Sequence, residues 1–132
     1  PSGANGVSLV PYFDGERTPN LPDATGTFEG LRNTTSRADL ARAAHEGVVN
    51  GLLHGLDALR AAGAEIDGRL YLIGGGAKSP AYRAVVQDLF DGPVRVPDDD
   101  ETVATGACVQ AAWIHSGTEA ATAWPLGAGE DL

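Results

Sequence analysis

The sequence has no methionine and only one cysteine and one lysine. Because translation starts at methionine, we expect the chain to be a piece of a longer protein. The lone Cys108 excludes an internal disulfide and a cysteine-based metal site, and we predict it to be a small core residue. No apolar stretch approaches the roughly 20 residues that cross a bilayer, and no basic-then-apolar leader opens the chain. Both absences favour a cytoplasmic protein without a membrane partner.

Positive charge is also scarce. Nine basic residues face eighteen acidic ones, which gives a formal net charge of -9. Binding to nucleic acid requires a basic face that neutralises phosphates, so we do not expect nucleic acid as a partner. The 132 residues are 42% hydrophobic and 20% charged, which is ordinary for one soluble domain with a core of its own.

Strands and helices are predicted to alternate along the chain. Residues 7–13 and 69–73 and the short run 94–96 read as strands, whereas residues 13–35, rich in Gly, Pro, Asn and Thr, read as a long ordered loop. Helices are predicted over 36–62, from Pro80 to about residue 90, and from about residue 101 to His115. Residues 117–132 look like a loose tail. This order predicts an α/β layer structure with parallel strand pairing.

Two of the predicted helices carry further expectations. Ser36 and Asp39 have capping-box spacing at the start of the first helix, and Gly63 is a natural stop. Glycine recurs on this helix every fourth residue, which suggests that another backbone packs closely there; these are Gly47, Gly51 and Gly55. The last helix is expected to turn four small residues towards the core, namely Ala104, Ala107, Cys108 and Ala111.

The sharpest chemical feature is a turn of six residues between a predicted strand and a predicted helix. This glycine turn comprises Gly74, Gly75, Gly76, Ala77, Lys78 and Ser79. Pro80 suits the first position of the following helix, which makes Ser79 its N-cap. Glycines let a ligand approach the main chain, and phosphate is the natural occupant of a turn that opens a helix. A turn that merely connects strand to helix is nearly as good an interpretation.

Two phosphate-binding motifs can be tested on this turn. The P-loop needs a glycine before its lysine, but Ala77 precedes Lys78, so the motif fails and Lys78 is better read as a solvated lysine. The dinucleotide fingerprint fits at Gly74 and Gly76, with Asp98 as its later acid, but Ser79 occupies the third glycine position. An NAD-binding Rossmann-type domain therefore stays a serious alternative on spacing alone.

Other segments resemble the FGGY carbohydrate kinase family, and xylulose kinases in particular. The first is Gly15-Glu16-Arg17-Thr18-Pro19. The second resembles the family's C-terminal signature and consists of Gly26-Thr27-Phe28-Glu29-Gly30-Leu31 followed by Asp39-Leu40, Ala43, Ala44 and Glu46. His45 departs from that signature. The glycine turn resembles its adenosine-binding loop, and Glu101, Ala104, Gly106 and Ala107 resemble its closing segment. The resemblance covers about residues 3–113.

The resemblance implies a fold and an activity. The fold would be a partial ribonuclease-H-like domain of the actin-like ATPase type, with a mixed sheet flanked by helices. The whole chain, 1–132, would be the partial C-terminal nucleotide-binding domain of a sugar kinase that transfers phosphate from MgATP to xylulose, giving xylulose 5-phosphate. The alternatives are a kinase of another sugar or polyol and a non-catalytic nucleotide-binding module.

The resemblance also assigns residues. Gly75 matches the glycine whose N–H approaches the α-phosphate, Gly74 and Gly76 shape the turn, and Ala77 belongs to it. Ser79 matches the position at the adenine edge. Tyr82 is expected to line the adenine or ribose pocket. Glu16 and Arg17 are expected to lie in a loop that faces the cleft.

For Tyr82 a buried core position is an equally good interpretation. For Arg17, steadying phosphate charge is weighed against an ion pair with Glu16 or Asp14, which is the preferred prediction. The resemblance implies that the catalytic residue, the Mg²⁺ ligands and most sugar contacts lie outside this chain, which alone is expected to be inactive. The sugar's identity and a homodimer stay open.

Overall fold

The computed structural model describes residues 1–66, 70–98, 101–116 and 130–131, and these fall into two units. The first unit comprises the described residues of 1–67 and 84–91, and the second those of 68–83 and 92–132. The unit boundary falls inside a helix, after Arg83. None of the helices in the described part of the chain combines the length and the hydropathy that crossing a bilayer requires.

The first unit is built on the long helix α1 (Arg37–Ala61). The predicted capping box is confirmed: Ser36 Oγ accepts from Asp39 N at 3.2 Å, and Asp39 Oδ2 accepts from Ser36 N at 2.8 Å. The helix ends before Gly63, whose φ of 89° is the left-handed conformation that glycine tolerates. One stripe of α1 is buried, at Asp39, Ala43, Glu46 and Val49.

Two short strands accompany α1. They are β1 (Ser8–Val10) and β2 (Thr27–Glu29), and they pair antiparallel with Leu9 opposite Phe28. Leu9 is buried, and the small core of this unit gathers Ala4, Val7 and Ala43, with Leu40 packed against it. The expectation of parallel pairing is wrong for β1, because the chain returns through a loop and runs back alongside it.

The segment predicted as a loop over 13–35 is ordered by its own hydrogen bonds. Glu16 N donates to Leu21 O at 2.9 Å and Leu21 N to Glu16 O at 2.8 Å, while Gly15 N donates to Ala24 O at 3.1 Å. Gly15 has φ 82°, and a Cβ there would lie 2.4 Å from Pro22 O, so this turn requires glycine. The loop prediction missed β2, whose three residues are too few to show a period.

Glycines on α1 show how close packing depends on position. A Cβ on Gly47 would lie 2.4 Å from Leu9 O, which confirms the prediction that another backbone approaches the helix here. A Cβ on Gly51 or on Gly55 would meet no atom within 4 Å. The predicted close approach is therefore present at one of the three glycines and absent at the other two in the chain as described.

The second unit holds a three-stranded mixed sheet in the order β3-β4-β5. Strand β3 (Leu70–Tyr71) is parallel to β4 (Val94–Val96), with Leu70 opposite Val94. Helix α2 (Pro80–Leu89) connects them, as predicted. Strand β5 (Glu130–Asp131) runs antiparallel to β4 and belongs to the segment 117–132 predicted as a loose tail. The rest of that segment lies outside the described residues.

Helix α3 (Thr102–Ser116) forms where it was predicted, but its expected inner face is wrong. Ala104, Ala107, Cys108 and Ala111 are all exposed. Cys108 is therefore a surface thiol rather than a core residue. A helix face becomes interior only when another element packs on it, and none of the described residues buries these four.

Candidate functional site

The glycine turn lies where β3 ends, at the same edge of the sheet as the end of β4. Beyond β3, Leu72 N donates to Arg95 O at 2.8 Å, so the parallel pairing continues almost to the turn. In α/β sheets, ligands bind at the carboxyl ends of parallel strands. The sequence-predicted site is thus placed at an edge of the sheet that suits a ligand.

The turn itself combines one left-handed glycine with a short 3-10 helix. Gly74 has φ 88° and ψ -174°, which only glycine adopts without strain. The 3-10 helix Gly75–Lys78 follows, in which Ala77 N donates to Gly74 O at 3.1 Å. Ala77 is buried and anchors the turn. A Cβ on Gly75 would meet nothing within 4 Å, so the space beside Gly75 is open to a ligand.

Ser79 ends the turn and caps α2. Its φ of -88° and ψ of 117° are extended, and its Oγ accepts from Tyr82 N at 3.3 Å, the contact predicted for an N-cap. The ring of Tyr82 packs over Gly76, where a Cβ would lie 3.4 Å from the ring. Burial of this ring raises the pKa of the Tyr82 hydroxyl above 10.0. Tyr82 is therefore held against the turn by packing.

The structure adds residues to the turn that the sequence did not indicate. A small cavity beside it is lined by parts of the turn and by Arg83, Val96, Pro97 and Thr102. Arg83 Nε donates to the carbonyl of Ala77 inside the turn. No motif pointed to Arg83, because its partner is a backbone carbonyl and leaves no trace in the residue pattern.

The predicted loop residues Glu16 and Arg17 belong to the first unit. Glu16 Oε1 accepts from Arg17 N at 2.7 Å and from Thr18 N at 3.2 Å, so the carboxylate closes its own loop. The ion pair of Arg17 with Glu16 or Asp14 is wrong: among the described residues, Arg17 enters no ion pair. Glu16 also lines a groove of about 510 Å³ beside Gly47 and Gly51.

Metal ligands are not gathered in this region. The parts of the chain that the structure describes contain no group of three or more His, Cys, Asp or Glu residues that could hold a metal ion. The turn and its neighbours offer backbone N–H groups, the hydroxyl of Ser79 and the aromatic ring of Tyr82, which are groups that suit a nucleotide.

The chain is similar in structure to solved sugar kinases. A crystal structure of xylulose kinase from Bifidobacterium adolescentis matches with a TM-score of 0.75 and 50% identity, covering 89% of this chain and 23% of that one. A Plasmodium falciparum glycerol kinase with ADP matches with a TM-score of 0.69 and 28% identity, covering 80% and 21%. The fold is therefore that of the actin-like ATPase sugar kinases, as predicted.

Residues 1–115 match the FGGY family of carbohydrate kinases, C-terminal domain. A xylulose kinase of Streptomyces coelicolor is 44% identical over 129 residues, which is 96% of this chain and 27% of that protein. The chain belongs to the FGGY family of carbohydrate kinases. It spans about a quarter of the length of the relatives it matches. The family match over residues 1–115 favours a domain of FGGY type over a Rossmann-type NAD-binding domain.

Proposed function

We propose that the full-length protein is an ATP-dependent carbohydrate kinase acting on xylulose, and that this chain supplies its ATP-binding portion. The observation that carries the proposal is the glycine turn, open beside Gly75 at the end of β3, in a chain of the FGGY family. The glycerol kinase with ADP, similar in fold over most of this chain, also supports a nucleotide as ligand.

The residue roles follow the turn. The N–H of Gly75 would approach the α-phosphate, because no atom of the described chain fills the space beside it. Gly74 and Gly76 would shape the turn, and Ala77 would fix it from inside. The Oγ of Ser79 already accepts from Tyr82 N, so it would meet the adenine edge as a hydrogen donor. Tyr82 would border the adenine or ribose pocket.

The reaction would move the γ-phosphoryl group of MgATP to a hydroxyl of the sugar, giving ADP and xylulose 5-phosphate. Catalysis of this kind depends on positioning and on neutralising charge. We place the catalytic base, the Mg²⁺ ligands and most sugar contacts in other parts of the full-length protein. Arg17, which enters no ion pair in the described chain, is proposed as a cation of a cleft loop, with Glu16 closing that loop.

Activity and binding measured together test the proposal. Purified full-length protein is assayed for ADP formation with ATP, Mg²⁺ and either xylulose or glycerol, and titrated calorimetrically with ATP and with NAD. We expect ATP binding and turnover of xylulose. ATP binding without turnover of xylulose, of glycerol or of a panel of other sugars and polyols would indicate a non-catalytic nucleotide-binding module. Binding of NAD without ATP would contradict the nucleotide assignment.

The sugar and the assembly need separate measurements. Preferred turnover of glycerol or another polyol would support the assignment as a kinase but contradict xylulose as its substrate. The 132-residue chain alone is expected to give no turnover. A homodimer and a cytoplasmic location stay predictions, and light scattering of the full-length protein tests the first.

A further inference from the structure

The carbonyl of Ala77 in the glycine turn accepts no hydrogen bond from the backbone of the residues that the structure describes. Ala77 is 4% exposed, so its carbonyl is largely removed from water. Pro80, three residues further on, has no N–H, and Ser79 has left the helical conformation with ψ 117°. A buried carbonyl without a donor is costly, and the turn requires a side chain to supply one.

Arg83 supplies that donor from the first turn of α2. Its Nε donates to Ala77 O, a hydrogen bond strengthened by the positive charge of the guanidinium. The backbone of Arg83 is itself fixed, because its N donates to Ser79 O at 3.0 Å. The preceding residue, Tyr82, packs its ring on Gly76. Two successive residues of α2 therefore contact the same turn, Tyr82 by packing its ring on Gly76 and Arg83 by donating a hydrogen bond to Ala77 O.

We propose that Arg83 is a positioning residue that holds the glycine turn in the conformation that binds the nucleotide. This inference rests on the proposed function and assigns to the site a residue that acts through its hydrogen bond to the turn. Without the guanidinium, the Ala77 carbonyl would have to rotate towards water. That rotation would also turn the peptide groups on either side of Ala77, and with them the backbone around Gly75 and Gly76.

Variants of the full-length protein test this assignment. Arg83→Ala removes the donor, and Arg83→Lys keeps a cation on a flexible stem that lacks Nε. We expect Arg83→Ala to weaken ATP binding about tenfold, since the cost of an orphaned buried carbonyl corresponds to roughly that ratio. The KM for ATP should rise in parallel, while the KM for the sugar stays within about twofold. Arg83→Lys should recover part of the loss.

Arg60→Ala is the matched control, because Arg60 pairs with Asp57 on an exposed surface of α1 at 3.0 Å. This variant should bind ATP as the unchanged protein does. If Arg83→Ala binds ATP within twofold of the unchanged protein, or raises both KM values equally, the positioning role is wrong. If Arg83→Ala does not fold, an Arg83→Lys variant with an unchanged Kd for ATP refutes it. Failure of the unchanged protein to bind ATP contradicts the proposed function itself.

Discussion

Glu46 should be one of the most costly side chains to remove from the first unit. Its Oε1 accepts from Gly3 N at 2.8 Å and from Arg42 Nε at 2.6 Å, and Glu46 is 8% exposed. Arg42 also donates to Asp88 Oδ2 at 2.7 Å. The hydrogen bond to Glu46, with a smaller contribution from Asp88, raises the pKa of Arg42 further above its usual value. Glu46 thus joins the N-terminal turn, α1 and the end of α2.

The magnitude follows from what Glu46→Ala leaves behind. The N–H of Gly3 loses its only acceptor in the described chain, and Arg42 keeps a single carboxylate partner, Asp88. Each lost bond to a part-buried group costs about 1–3 kcal/mol, and the retained pair with Asp88 limits the total to about 2–4 kcal/mol. Asp57→Ala, which breaks an exposed pair with Arg60, should cost under about 1 kcal/mol.

Hydrogen exchange on the full-length protein measures this local cost directly. Amides of residues 3–7 should lose about 30-fold or more of their protection in Glu46→Ala, because about 1.4 kcal/mol corresponds to a factor of ten. Glu46→Gln keeps the acceptor oxygen and should lose less. Protection in Glu46→Ala equal to that in Asp57→Ala would refute the reasoning.

Two further predictions concern α1. Hydrogen bonds from the Ser36 side chain and then its backbone lower the pKa of Asp39 below 3.8, so the stabilisation they give is present above about pH 4 and is lost at lower pH. In Asp39→Asn the melting temperature should therefore depend less on pH between pH 5 and 3. A slope against pH equal to that of the unchanged protein would contradict this. Gly47→Ala should lower the melting temperature because its Cβ would lie 2.4 Å from Leu9 O, whereas Gly51→Ala should raise or keep it, and equal shifts would refute the packing account.

Local signals predicted the elements well where one residue type has one physical role. Ser36 and Asp39 predicted the start of α1 correctly, because a capping box depends on two side chains at fixed spacing. Gly74 and Ser79 marked the two ends of the glycine turn for the same reason: one permits positive φ, and the other accepts a backbone N–H. The glycine turn and its position after a strand were therefore predictable.

Features that depend on tertiary partners were not predictable. Ala104 and Cys108 have the composition of an inner face but are exposed, since burial depends on what packs against α3. Glu46 appeared only as part of a family signature, and its role as an acceptor for Gly3 needed a contact between residues 43 positions apart. The role of Arg83 was not predictable because its partner is the backbone carbonyl of Ala77, and a backbone partner leaves no pattern in the sequence.

The central claim is that the glycine turn binds ATP, and calorimetry of Gly75→Val in the full-length protein tests it most directly. A Cβ at residue 75 would meet no atom within 4 Å, so we expect the fold to persist while the branched group enters the space proposed for the α-phosphate. Gly55→Ala, which is also free of contacts, is the control. We expect Gly75→Val to lose about tenfold or more in ATP affinity while the control keeps it. Unchanged ATP affinity in a folded Gly75→Val protein would contradict the central claim.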